Sequence, residues 1–192
     1  MFSKILEYTD LGMTGLNILF FPVDEGAKMA EADAGIISTA TTVMGGVGAI
    51  MALVSTIHNQ NAHWTIKWIA VPLILLHVGA LVVLFGIAGS GGVSQFKVLA
   101  TKGLTYSMPI INGLHAGYII YEMISDSKAN VNARNIGQVI YKMPAILSYP
   151  PVNKHPFFAI VILVRTGGLI TTSVGGMIEL LQEGQENKKI EE

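Results

Sequence analysis

Long apolar runs separated by short polar clusters dominate this chain, and the charge-free stretches are the most informative part of the pattern. No Asp, Glu, Lys or Arg occurs from Ala34 to Ile66 or from Trp68 to Phe96. Gly103 to Tyr121 is a third such stretch, and Pro156 to Leu181 is a fourth, interrupted by Arg165 and Glu179. A charged side chain at the centre of a bilayer costs about 2.5–3.5 kcal/mol, and ~20 apolar helical residues cross a hydrocarbon core of roughly 30 Å. The pattern therefore predicts four transmembrane helices, near 36–57, 67–88, 104–124 and 157–181. The apolar segment 11–23 is short and closed by Pro22, which predicts an interfacial or re-entrant helix, with a fifth, marginal span as the alternative. Between Ser125 and Pro156 the prolines Pro144, Pro150, Pro151 and Pro156 indicate a loop outside the bilayer, with a short surface helix over 136–147. The expected fold is an all-α, polytopic membrane bundle. It divides into an N-terminal arm (1–33), a transmembrane four-helix domain (34–181) and a polar, solvated or fraying tail (182–192).

Composition agrees with that class. Of 192 residues, 51% are hydrophobic and only 13% charged, well below the quarter usual in soluble domains. The absence of cysteine excludes a disulfide framework, thiolate-bound zinc, an iron–sulfur cluster held by this chain and a cysteine nucleophile. A net charge of −1 provides no basic field for nucleic acid. The N-terminal residues MFSKILEYTD carry two acids and no arginine, unlike a transit peptide. Lysine and arginine are nearly balanced between the two sets of loops, so orientation stays open.

Candidate chemistry rests on a few polar groups within the apolar runs. His77 and His115 fall near mid-span in the second and third predicted helices, where an imidazole faces a bundle interior or a cofactor and is the usual axial ligand of a membrane haem. The alternative for each is a hydrogen bond to a backbone carbonyl or a hydroxyl of a neighbouring helix. Asp126 follows His115 by eleven residues, about three turns and roughly 16 Å, so a deep imidazole and an interfacial carboxylate share one helix face. Tyr118 and Glu122 complete that stripe, which is expected to be an intersubunit surface and not to face lipid, its partner being another chain in an anchor or a neighbouring helix in a structural subunit. Arg165 is expected to snorkel or to meet a propionate, a lipid phosphate or a carboxylate, and Glu179 to be interfacial. Small residues at four-residue spacing (Thr41, Gly45, Ala49; Gly113, Gly117; Gly168, Thr172, Gly176) mark close helix–helix contact. Gly86 to Gly92 follows a membrane helix and does not make a phosphate loop, and His58 with His63 lacks the spacing of a zinc hydrolase.

His63-Trp64-Thr65, Val71-Pro72-Leu73, Leu114-His115 and Asp126 occur in an order that resembles the small cytochrome b membrane-anchor subunit of succinate dehydrogenase, respiratory complex II. The resemblance implies that His115 is an axial ligand of haem b iron, the second ligand coming from another subunit. It also implies that Asp126 belongs to a ubiquinone site at the membrane surface. Ser127 stands where that family has a quinone-binding Tyr, and Lys67-Trp68 where it has Glu-Arg; the span 36–57 is additional. His77 is the alternative haem ligand, pairing with His115 in a haem held by one chain. The implied function is that of a non-catalytic anchor in the respiratory electron-transport chain, embedded in a mitochondrial or bacterial inner membrane and partnered by other subunits and lipid. The competing reading is a cofactor-free structural subunit of an energy-converting complex or a membrane-containing virion. A transporter is disfavoured, because no inverted repeat is visible.

Overall fold

A computed structural model describes residues 2–32, 36–60, 62–89, 94–125 and 131–191. The described residues form six α-helices: α1 (Phe2–Met29), α2 (Ile36–His58), α3 (Trp64–Gly89), α4 (Ser94–Ser125), α5 (Ala133–Lys142) and α6 (Phe158–Glu191). Two 3₁₀ turns, Met143–Ser148 and Val152–Lys154, join α5 to α6. Each helix packs on its neighbours in sequence, and α6 returns to pack on α1, so the elements close a ring. Ser55 of α2 donates a hydrogen bond to Glu7 of α1 at 3.3 Å, while Asp10 approaches Gly48 and Asn17 approaches Gly45. This antiparallel pairing puts the start of α1, the end of α2 and the start of α3 at one end of the ring, here called the upper end.

Side-chain placement is inverted relative to a soluble protein. Leu16, Leu19 and Val23 of α1, Leu75, Val82 and Phe85 of α3, Ile110, Leu114 and Ile124 of α4, and Ile160, Leu163 and Leu181 of α6 are exposed. Asp10, Asn17, Asp24, Glu25, Gln138, Lys142 and Arg165 are buried. An apolar exterior around a polar interior is the arrangement that a lipid solvent favours, since ionisable groups there turn inward and pair. Two apolar clusters seal the ring. Leu53, Ile66, Ala70, Leu73, Tyr118 and Ile119 join α2, α3 and α4, whereas Phe21, Phe158, Val161, Ile162 and Leu169 join α1 and α6.

Three helical segments among the described residues are long and apolar enough to cross a membrane, Ile36–His58, Trp64–Ile87 and Phe158–Gln182, where the sequence pattern predicts four. Residues 104–124, predicted as a span, are helical within the 32-residue α4, but that helix is not among those apolar enough to cross a membrane. Its mean hydropathy is lowered by residues such as His115, Tyr118 and Glu122 that turn into the ring. A second correction concerns the N-terminus. The segment expected to be a short interfacial helix ending at Pro22 is part of the 28-residue α1, which continues through that proline. Pro22 removes one donor to the turn before it. Burial of Asn17 and Phe21 on one side of it and of Asp24 and Glu25 on the other holds both halves against their neighbours.

The third correction is the return segment 133–154, which is not an external loop. It descends along α6 in backbone contact: a Cβ on Gly137 would strike the Thr172 amide, one on Gly168 the Tyr141 amide, and one on Gly175 the Arg134 amide. Asn132 caps α5, its side chain accepting from the Asn135 amide at 2.8 Å. The tail beyond Leu181 continues α6 as helix to Glu191 rather than fraying at its start. Extending a formed helix with Glu, Gln and Lys needs no new nucleus.

Candidate functional site

The interior of the ring contains a polar column with three parts. At the upper end a cavity of about 560 Å³ opens between Glu7 of α1, Ser55 of α2 and Asn59 just beyond it, His115, Tyr118 and Glu122 of α4, Arg134 and Gln138 of α5, and Glu179 of α6. Arg134 pairs with Asp10 in its wall and lies 3.5 Å from Glu179. His115 is 2% exposed, and its Nδ1 has no hydrogen-bond partner among the described residues. His77, equally buried, donates from Nδ1 to the Leu73 carbonyl at 2.8 Å, which assigns its proton to that nitrogen and leaves Nε2 as an acceptor.

Below this cavity a void of about 30 Å³ lies between α1, α2, α5 and α6, bounded by Asp10, Thr14, Asn17, Gln138, Tyr141 and Lys142. Asn17 donates to the Tyr141 hydroxyl at 3.3 Å, while its Oδ1 is buried and unpartnered. Still lower, Arg165 donates from Nε to the Tyr141 carbonyl and from Nη1 to Ser148 Oγ, both at 3.0 Å. Its Nη1 is 3.6 Å from Glu25, and its guanidinium lies 4.4 Å from the centre of the Phe21 ring. Lys28 closes the column with bonds to Asp24 at 2.7 Å and Glu25 at 3.0 Å. At the exposed lower rim, the Lys154 ammonium bonds to Glu31 and holds that carboxylate below its ordinary range.

Several expectations of the sequence meet their surroundings here. His77 and His115 are brought together, their rings 5.3 Å apart and nearly perpendicular. That contact leaves no space for a porphyrin between them, so a haem held by both imidazoles does not fit, and the cavity that His115 reaches is lined largely by amides, hydroxyls and carboxylates instead of an apolar slot. Arg165 neither snorkels nor waits for an outside anion, because it is 4% exposed and its carboxylate partner is Glu25. The residues of the stripe that are described, His115, Tyr118 and Glu122, line the upper cavity of the chain. Asp126 and Ser127 lie outside the described residues.

Sequence reasoning missed the acids and the lysine of the column. Asp10, Asn17 and Asp24 recur every seven residues along α1, a polar stripe that reads as inward-facing once the helix is continued through Pro22. Arg134, Gln138 and Lys142 recur every four residues, a spacing that also fits the wet face of a surface helix. No protein-family model, curated protein or solved structure matches this chain.

Proposed function

We propose that this protein is a membrane-embedded, non-catalytic subunit of a respiratory-type oxidoreductase complex, and that its upper cavity receives the head group of a quinone. The observation that carries this reading is that buried His115, whose Nδ1 has no hydrogen-bond partner among the described residues, lines a polar cavity of about 560 Å³. A volume of that size is typical of small-ligand sites, about 300–1,000 Å³. An imidazole N–H at its wall is a suitable donor to a quinone carbonyl. A bound quinone supplies two-electron, two-proton redox chemistry. This chain would orient it through His115, and Glu122 and Glu179 would exchange protons with water at the mouth. The partner subunits, ubiquinone itself and a mitochondrial or bacterial inner membrane are carried by the resemblance to the complex II anchor; no step through haem is included.

The test is binding of a short-chain ubiquinone to the purified protein in detergent, with a photoreactive analogue to locate it. Saturable binding with cross-links in 115–122, weakened about tenfold by His115→Leu through loss of one buried hydrogen bond, is the expected result. Absence of saturable binding, or equal binding by the variant, favours a structural subunit without a quinone. That second reading draws its support from Arg165, whose guanidinium is bonded to Tyr141 and Ser148 and faces Glu25 of the same chain.

A further inference from the structure

The void between Asp10, Asn17 and Lys142 has the dimensions and chemistry of a buried water site. A water needs roughly 10–15 Å³ of accessible volume and two to four polar partners. The void provides about 30 Å³ and more partners than are required. Asn17, 2% exposed, bounds it, and its Oδ1 has no hydrogen-bond partner among the described residues. Lys142, 6% exposed, also bounds the void, its ammonium 5.9 Å from the centre of the Tyr141 ring and in no ion pair with a described residue. Gln138 and Ala52 bound both this void and the upper cavity, so one amide side chain and one methyl group separate them.

We propose that the chain contains a one-sided proton path, in which water of the upper cavity connects through Gln138 to a bridging water in the void, and Lys142 is the terminal proton acceptor. The step is a simple transfer: the Lys142 amine takes one proton from the bridging water, which is restored by a hydronium arriving at the upper face, and the relay waters end unchanged. Gln138 passes no proton itself; its amide orients the waters on either side. Below Lys142 the path closes at Arg165, whose guanidinium does not dissociate and whose fixed charge repels hydronium. The groups facing Lys142 set its balance. Burial opposes the ammonium, Asp10 of α1 favours it and Arg165 of α6 opposes it, and His77 of α3 and His115 of α4 are neighbours whose charging is coupled to it. A buried lysine without a contact anion is a residue type whose proton becomes exchangeable near neutral pH. The path needs no quinone and stands apart from the function proposed above.

The native absence of cysteine makes access measurable. Lys142→Cys, and separately Asn17→Cys in case the first variant does not fold, are placed in vesicles and exposed to a small cationic methanethiosulfonate from either side. Labelling from the face that also labels Ser55→Cys, and not from the opposite face, is the expected result. Adding Gln138→Leu should slow it about tenfold. In ¹⁵N-lysine spectra of the unmodified chain, one amine should titrate apart from the others and vanish in Lys142→Met. Labelling from the lower face, no labelling of either cysteine while Ser55→Cys reacts, or no separately titrating amine would each overturn the proposal.

Discussion

At the scale of single residues, the strongest determinants are charges whose partners lie far away in the chain. Asp10 is 4% exposed and its pairing with Arg134 spans 124 positions. Removing one member of a buried pair leaves the other uncompensated, at a cost of about 3–5 kcal/mol. Asp10→Leu should therefore shift the unfolding midpoint in a mixed-micelle titration strongly, whereas Glu179→Gln, whose carboxylate is partly exposed and 3.5 Å from the same arginine, should shift it little. At the lower rim Glu31 ends α1 with φ 56°, the left-handed position of a helix-terminating motif in which the Ala32 amide bonds the Ala27 carbonyl. Lys154 depresses the Glu31 pKa, so this pair contributes above the ordinary carboxylate range and is lost as pH falls through the lowered value. Hydrogen exchange over 150–156 should rise at acid pH and should already be raised in Glu31→Gln at neutral pH; because the carboxylate is exposed, the change is local and small.

At the scale of elements, three glycines decide whether α5 can lie against α6. Gly137, Gly168 and Gly175 each bring backbone to backbone, where a methyl group would meet an amide that cannot move away. Overpacking of this kind costs about 1–3 kcal/mol or more. Gly137→Ala and Gly175→Ala should each lower the folded fraction measured by protease resistance in detergent. Gly167→Ala, at which a Cβ meets open space, should not. The stripe of Gly168, Thr172 and Gly176 is thus close-approach packing within the chain, with Gly176 set most closely against Leu11 of α1 and next to Arg134 of α5.

At the scale of the whole molecule, ring closure sorts apolar side chains outward and ionisable ones inward, and it fixes which ends share a side. Cysteines at Asn59 and Asn132 should react with an impermeant reagent from one face of a vesicle, and a cysteine at Lys154 from the other. Reaction of all three from one face would contradict the descent of 133–154 along α6. The helical class and the existence of α2, α3, α4 and α6 follow from the sequence alone, because charge-free stretches of such length and Pro- or Gly-bounded ends leave a chain in lipid few alternatives. His115 stands out equally early, as an imidazole deep within an apolar run. The length of α1 is a different matter: Pro22 reads locally as a terminus, and only packing on both sides of it carries the helix through. Nor can spacing alone say whether Arg134, Gln138 and Lys142 face water outside or a column inside, since a four-residue period has a face but no direction. The tertiary structure supplies that direction by closing α6 onto α1. Pairings such as Asp10 with Arg134 and Glu25 with Arg165 connect positions more than a hundred residues apart, and local pattern holds no information about contacts at that separation.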